Sequence, residues 1–137
     1  MSEENVEIVR RMYGAWKRGD FEAAFSYIHP AVEWSEPPDN PGARTWHGHE
    51  GVQGALTTWM GAWEDFQYEV RELVDCGNDE VLVAAWQTGS GKGSGVQVSE
   101  ENFSVYTVRE GKIIKQRMFR RRADALEAAG LSETAES

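Results

Sequence analysis

The hydrophobic periodicity of this chain changes near Trp63, and the change limits the folds that are open to it. Before Trp63, apolar residues recur at the three- and four-residue spacing of amphipathic helices. After it, apolar and polar residues alternate, as they do in half-buried strands. Helices followed by a run of strands joined by short turns predict an α+β fold with an antiparallel sheet.

Local signals divide the two halves into elements. Gly19 closes a first helix, Asp20 caps a second that Pro30 stops, and the first strand ends before Pro37. The predicted elements are helices up to residue 19, from 20 to 30 and from about 50 to 63, a strand over 31–36, strands over 66–74, 81–88, 96–108 and 112–121, and a short helix over 123–129.

Three helices can cover one face of a long, curved sheet. Such a sheet forms a cone-shaped barrel, and the cavity of that cone is where a ligand would bind. The length of 137 residues fits one core. We therefore expect a single domain over residues 1–131, with a frayed tail at 132–137.

Charge and cysteine content exclude some partners. Lys and Arg number 14 against 23 Asp and Glu, a net charge of −9, so most of the surface would repel a nucleic-acid backbone. Cys76 is the single cysteine, which excludes an internal disulfide. The polar start of the chain and the lack of a long apolar run predict a cytoplasmic protein that does not contact membranes.

The segment 45–52, TWHGHEGV, has two histidines and a glutamate at short spacing. A His-x-His metal site normally lies on a strand, whose alternation points both imidazoles the same way. Here Gly48 and Gly51 interrupt the segment and a helical pattern begins at once. We interpret His47, His49 and Glu50 as a helix start, with no metal.

Several short segments, in this order, resemble one family. They are 13–20 (YGAWKRGD), 29–34 (HPAVEW), 46–52 (WHGHEGV), 109–113 (REGKI) and 124–131 (DALEAAGL). Together they resemble the SnoaL-like and ketosteroid-isomerase-like branch of the nuclear-transport-factor-2-like superfamily. The resemblance implies the cystatin-like roll of that superfamily, an apolar pocket, no cofactor, and a homodimer formed through the sheet face.

The resemblance also implies positions for ketosteroid-isomerase residues. The base would fall at Ser35, the second acid at Ser104 and the tyrosine at Met12, with Tyr13 next to it. All three positions depart from the family pattern. A serine hydroxyl does not abstract an α-proton unaided, so steroid isomerisation is not expected.

Strand alternation leaves one carboxylate as a candidate. Glu33 shares a strand face with Ser35, and if that face points into the cone, Glu33 is the candidate catalytic acid or base. The alternative places Trp34 inside and Glu33 in water. The other candidate ligand-binding residues are Met12, Tyr13, Trp16, Ser35, Trp59, Trp63, Trp86, Asn102, Ser104, Tyr106, Gln116 and Met118.

Three functions remain open at this stage. The first is cofactor-independent acid/base chemistry on a small, mostly apolar, polycyclic or ketone-bearing molecule. The second is binding of such a molecule without turnover. The third is a dimerisation module, in which Phe103, Val105 and Thr107 would be buried between subunits. Glu69 and Arg71 resemble a limonene epoxide hydrolase pair, but a surface ion pair is the preferred interpretation.

Overall fold

The computed structural model describes residues 2–130 and confirms the α+β class. The elements in chain order are α1 (Ser2–Lys17), α2 (Phe21–Ser26), β1 (Ile28–Ser35), β2 (Thr45–His47), α3 (Gly48–Gly61), β3 (Trp63–Gly77), β4 (Glu80–Gly91), β5 (Gln97–Arg109), β6 (Lys112–Phe119) and α4 (Arg122–Ala128). The predicted tail at 132–137 and the contact of Leu131 lie outside the described residues.

Six strands form one sheet in the order β2-β1-β6-β5-β4-β3. Strands β3 to β6 pair antiparallel, as their short turns predict. Strand β1 pairs parallel with β6, a contact that the sequence did not indicate. Because β1 and β6 are far apart in the chain, no turn between them fixes their relative direction.

Helices α1 to α3 cover one face of the sheet, which we call the inner face. Val81 and Val83 of β4 and Tyr106 of β5 pack there with Val9 and Met12 of α1, and each is at most 1% exposed. The buried apolar stripe of α1 therefore stabilises the same sheet face that presents the candidate site.

Helix α4 covers part of the opposite, outer face. Leu126 packs into a cluster with Leu82, Phe103 and Val105, and the Thr107 hydroxyl donates to the carboxylate of Glu80. The expectation that Phe103, Val105 and Thr107 are buried between subunits is wrong, because this chain covers them itself. Alternation shows which residues share a face but not what packs on it.

Two residues that the sequence prediction placed in helices lie in strands. Helix α2 ends at Ser26, and Ile28 already belongs to β1, where an irregular register between Ile28 and Glu33 accommodates Pro30. Trp63 begins β3 instead of ending α3. Within the described residues, no helix is long and apolar enough to span a membrane.

Candidate functional site

The orientation of β1 decides between the two interpretations of Glu33. Trp34 is 6% exposed, and its ring packs edge-on against Trp16 at 5.9 Å and Tyr106 at 5.8 Å between centroids. Glu33 lies on the other side of the strand and is exposed. Of the two orientations left open by the sequence, the inward one, on which the catalytic candidate Glu33 depends, is therefore wrong. Burial of the indole stabilises the fold, whereas burial of an unpaired carboxylate would cost free energy.

Ser35 follows Glu33 to the same outward side. Its hydroxyl hydrogen-bonds the Thr45 hydroxyl of the edge strand β2 at 2.9 Å, in an exposed pair. The expectation that Ser35 lines the pocket is wrong, because residues two apart on a strand share a face and Glu33 faces outward.

Three tyrosine hydroxyls meet between α1 and the inner face, and we call Tyr13, Tyr68 and Tyr106 the tyrosine cluster. The hydroxyl of Tyr13 lies 2.6 Å from that of Tyr106 and 3.4 Å from that of Tyr68. The rings of Tyr13 and Tyr68 stack at 5.7 Å. The Tyr68 hydroxyl also donates to Oδ1 of Asn102 at 3.5 Å. Helix α1 and strands β3 and β5 thus converge on one group of hydrogen-bonding atoms.

Burial raises the pKa of Tyr13, Tyr68 and Tyr106 well above the ordinary value for tyrosine. The charge of a neighbouring phenolate raises each pKa further. At neutral pH the three phenols are therefore protonated, and the cluster offers neutral hydrogen-bond donors.

Buried amides on the sheet extend this polar group. Gln116 of β6 is 0% exposed, and its Nε2 donates to the Ser104 hydroxyl at 3.4 Å. Its Oε1 has no partner among the described residues, and neither does Oε1 of Gln87, which is 4% exposed. In the part of the chain that the structure describes, the indole N–H groups of Trp16 and Trp63 are also buried and have no acceptor. Native interiors hold few such atoms, so these four groups are an unusual feature of the inner face.

Aromatic side chains continue from the tyrosine cluster to the turn that joins β4 to β5. Phe66 contacts Tyr68 at 6.4 Å and Trp63 at 6.2 Å, and Trp63 contacts Trp59 at 5.3 Å. Trp59 is 42% exposed, so this end of the site, which we call the rim, reaches solvent. Gly89 lies under Trp63: a Cβ added there would lie 3.2 Å from the indole, so the absence of a side chain admits the ring.

One carboxylate also lies on the inner face at the rim. Glu100 of β5 is the register partner of Gln87 and, by alternation, shares the face of Asn102, Ser104 and Tyr106. Its side chain is half-buried.

Trp86 occupies the outer face, so its expected place in the pocket wall is wrong. It pairs in register with Glu101, on the opposite side of the strands from Gln87 and Glu100. Its indole N–H donates to the Ser99 hydroxyl at 2.8 Å, and the Arg71 guanidinium lies 4.8 Å from its ring. Arg71 also pairs with Glu69 at 3.2 Å in the exposed ion pair that the sequence predicted.

A family model for the SnoaL-like domain matches residues 9–116. This chain belongs to the SnoaL-like domain family. No functionally curated protein matches the chain.

Solved structures share the fold of this SnoaL-like domain. An NTF2-like protein from Burkholderia xenovorans is 26% identical, covers 94% of this chain and 98% of its own, and has a TM-score of 0.73. TerC, co-crystallised with polyporic acid, is 22% identical over 93% of this chain and 98% of its own, with a TM-score of 0.73. A Jannaschia protein described as a "putative SnoaL-like polyketide cyclase" is 20% identical. The match covers 86% of this chain and 85% of the Jannaschia chain, with a TM-score of 0.74.

Seven of the predicted residues of this SnoaL-like domain lie on or against the inner face. They are Tyr13, Trp16, Asn102, Ser104, Tyr106, Gln116 and Met118, the last being the register partner of Ser104. Met12 is also there but is fully buried in the apolar core, and Trp59 and Trp63 lie at the rim.

Sequence reasoning missed Tyr68, Gln87 and the inward side of Glu100. The signal was present, because each residue continues the alternation of its own strand: Tyr68 follows Phe66, Gln87 follows Ala85, and Glu100 precedes Asn102. His49 of α3 lies 2.7 Å from the carbonyl oxygen of Ile28 and contacts Phe25. That segment therefore joins the third helix to β1.

Proposed function

We propose that this SnoaL-like domain binds a small, mostly apolar molecule that carries a carbonyl or hydroxyl oxygen. The observation that carries the proposal is the tyrosine cluster, in which the neutral phenol of buried Tyr106 and those of half-buried Tyr13 and Tyr68 meet beside the apolar core. The ligand oxygen would accept a hydrogen bond from Tyr13 or Tyr106. Apolar walls with a few convergent polar groups are the usual composition of small-molecule sites.

Aromatic rings around the cluster support a flat ligand. Tyr13 meets Trp16 edge-on at 5.8 Å, and Tyr106 meets Trp34 at 5.8 Å. Rings in these arrangements favour edge and face contacts with further aromatic or fused-ring surfaces. A flat apolar body with one anchored oxygen would satisfy both features.

A fluorescent naphthalene ketone, 6-propionyl-2-dimethylaminonaphthalene, tests the proposal. Its carbonyl accepts hydrogen bonds and its emission reports the polarity around it, so titration with protein yields a Kd. Loss of one hydrogen bond, worth about 1 kcal/mol net, predicts that Tyr106→Phe weakens binding about fivefold, and we expect the same for Tyr13→Phe.

Tyr27→Phe is the matched control, since it removes a tyrosine hydroxyl outside the cluster. It should leave the Kd unchanged. The proposal fails if the ketone does not bind, or if Tyr106→Phe and Tyr13→Phe both bind it as tightly as the unmodified protein.

A second candidate function is turnover of the bound ketone, and the inner-face position of Glu100 favours it. Its carboxylate would take a proton from the carbon next to the carbonyl while the electron pair moves onto the oxygen, which the phenol of Tyr68, level with Glu100 in the register of β3, β4 and β5, would stabilise. The protonated Glu100 would then return the proton to carbon. The step needs no oxidant, metal or cofactor.

Exchange of hydrogen for deuterium in 2-tetralone, followed by NMR in heavy water, measures this step. We expect exchange above the buffer rate, and a loss on the order of 100-fold or more of that excess in Glu100→Gln. Glu101→Gln, on the adjacent outer-facing residue, is the control and should retain activity. Equal rates for Glu100→Gln and the unmodified protein would leave binding as the function.

A further inference from the structure

Strand β3 is the last strand in the sheet order, so one of its edges has no strand beside it. In an antiparallel pair, alternate residues direct their N–H and C=O groups towards the neighbouring strand, and the residues between them direct theirs away. Among residues 2–130, no backbone hydrogen bond outside the β3–β4 ladder involves residues 66–76. About half of the backbone groups of this strand are therefore open to another chain.

One part of this edge keeps a regular strand geometry. The register of β3 with β4 shifts between Val70 and Glu72 and again between Asp75 and Gly77. Such bulges protect a sheet edge, because they twist the strand away from an added partner. Between the two shifts, residues 72–75 pair without interruption with residues 81–84 of β4. This run, which we call the open edge, can therefore accept a further strand.

A groove lies beside the open edge, between β3 and α1. Its volume is about 750 Å³, and Leu73 and Asp75 of β3 line it together with residues 3–11 of α1. Its apolar part consists of Val6, Ile8 and Leu73, which are half-buried and pack against the core. Open backbone groups beside an apolar groove are the combination that binds an extended peptide as an added strand.

The charges along the groove are mostly negative. Four carboxylates and two guanidiniums line it, which gives a net charge of −2. The guanidiniums of Arg10 and Arg11 pair with Glu7 at 2.7 and 3.1 Å, and their hydrogen bonds lower the pKa of its carboxyl. These charges favour a positively charged partner. The other three carboxylates are those of Glu3, Glu4 and Asp75.

The sequence of β3 disfavours a second copy of this chain at the open edge. The strand, WEDFQYEVRELVDCG, contains five carboxylates and one guanidinium. Two β3 strands side by side would bring like charges together, and like charges on neighbouring strands are destabilising. The partner that suits this edge is therefore a basic segment of another protein.

We infer that the open edge and the groove bind an extended, positively charged peptide segment, which pairs with β3 as an additional strand. Its backbone would hydrogen-bond to residues 72–75, and its apolar side chains, at alternate positions, would contact Ile8 and Leu73. Its Lys or Arg side chains would lie near the carboxylates of Glu3 and Asp75. None of the three tyrosines of the cluster lines the groove, so the inference does not depend on the proposed function.

Fluorescence anisotropy of a labelled peptide with the sequence VKVKVK measures binding to the intact chain. We expect this peptide to bind, and a VEVEVE peptide with the same apolar pattern not to bind. Two N-methylated forms of VKVKVK then test pairing through the backbone. Amides of alternate residues point to the same edge of a strand, so methylation of the valines blocks one edge and methylation of the lysines blocks the other. One form should lose binding and the other should keep it.

Glu3→Lys tests whether the peptide lies in the groove. Reversal of one charge beside the bound peptide should weaken the binding of VKVKVK about fivefold. Glu22→Lys is the matched control, because Glu22 is also an exposed carboxylate in the first turn of a helix, but it belongs to α2 and does not line the groove. It changes the net charge and the helix start in the same way and should preserve the Kd.

Three results would overturn the inference. The first is a VKVKVK peptide that does not bind. The second is equal binding of the parent peptide and both N-methylated forms, which would exclude pairing with the strand edge. The third is equal weakening by Glu3→Lys and Glu22→Lys, which would show that the peptide responds to the net charge of the protein and not to the groove.

Discussion

The hydroxyl of Tyr13 contacts the hydroxyls of both Tyr106 and Tyr68, so ionisation of one phenol would place charge beside the others. Burial raises the pKa of each residue above the value it has in the unfolded chain. We expect these three tyrosines to remain protonated as the pH passes about 10, where unfolded tyrosine ionises. Phenolate absorbance of the folded protein, compared with the protein in guanidinium chloride, measures the difference.

The raised pKa values also fix the direction of the change in stability. The contribution of these tyrosines to the free energy of unfolding is fully present below the pKa that they have in the unfolded chain. It is lost as the pH rises from that value towards their pKa in the folded protein. The free energy of unfolding should therefore fall above about pH 10, and less steeply in Tyr106→Phe. Ionisation of all three phenols near pH 10 with an unchanged circular dichroism spectrum would contradict this prediction.

Glu33 and Trp34 show what alternation in a sequence can and cannot establish. Period two requires the two side chains to face opposite ways, and both orientations fit the pattern. The choice depends on α1, since Trp16 offers the indole a packing partner inside the fold. Information from outside the strand was therefore needed to place the candidate base.

At the scale of elements, the sequence predicted the helices and long strands well because each has a clear period or cap. The side chain of Asp20 caps α2, accepting from the N–H of Ala23 at 3.2 Å. Boundaries were less certain where an apolar residue fits both periods: Ile28 and Trp63 continue a helical stripe, yet both lie in strands. The three-residue strand β2 was not predicted, since it has no alternation long enough to detect.

The position of α4 depends on contacts between residues far apart in the chain. Arg117 of β6 pairs with Glu80 of β4 at 2.7 Å and donates to the carbonyl oxygen of Ala128 at 3.2 Å. One half-buried side chain thus joins two strands to the end of the helix. The sequence predicts a helix at this place, but neither its period nor its cap specifies the outer face.

For the whole molecule, α4 leaves the rim half of the outer face uncovered. The residues of this uncovered half include Trp86, whose ring lies against the Arg71 guanidinium. Glu69 and Glu101 lie nearby on the same face. A homodimer through the sheet would have to use this half, since Phe103 and Val105 are already buried. Tryptophan and arginine are enriched in the energetically dominant parts of interfaces, and charges of both signs suit a twofold contact.

We therefore expect the protein to sediment as a dimer at micromolar concentration and Trp86→Glu to sediment as a monomer, because the new carboxylate would be desolvated in the interface. Trp59→Glu, at the exposed rim, is the matched control and should remain dimeric. The naphthalene ketone should bind Trp86→Glu with little change in Kd, since Trp86 lies on the opposite face of the sheet from the tyrosine cluster. A monomeric unmodified protein would refute the dimer, and a dimer that tolerates Trp86→Glu would place the interface elsewhere.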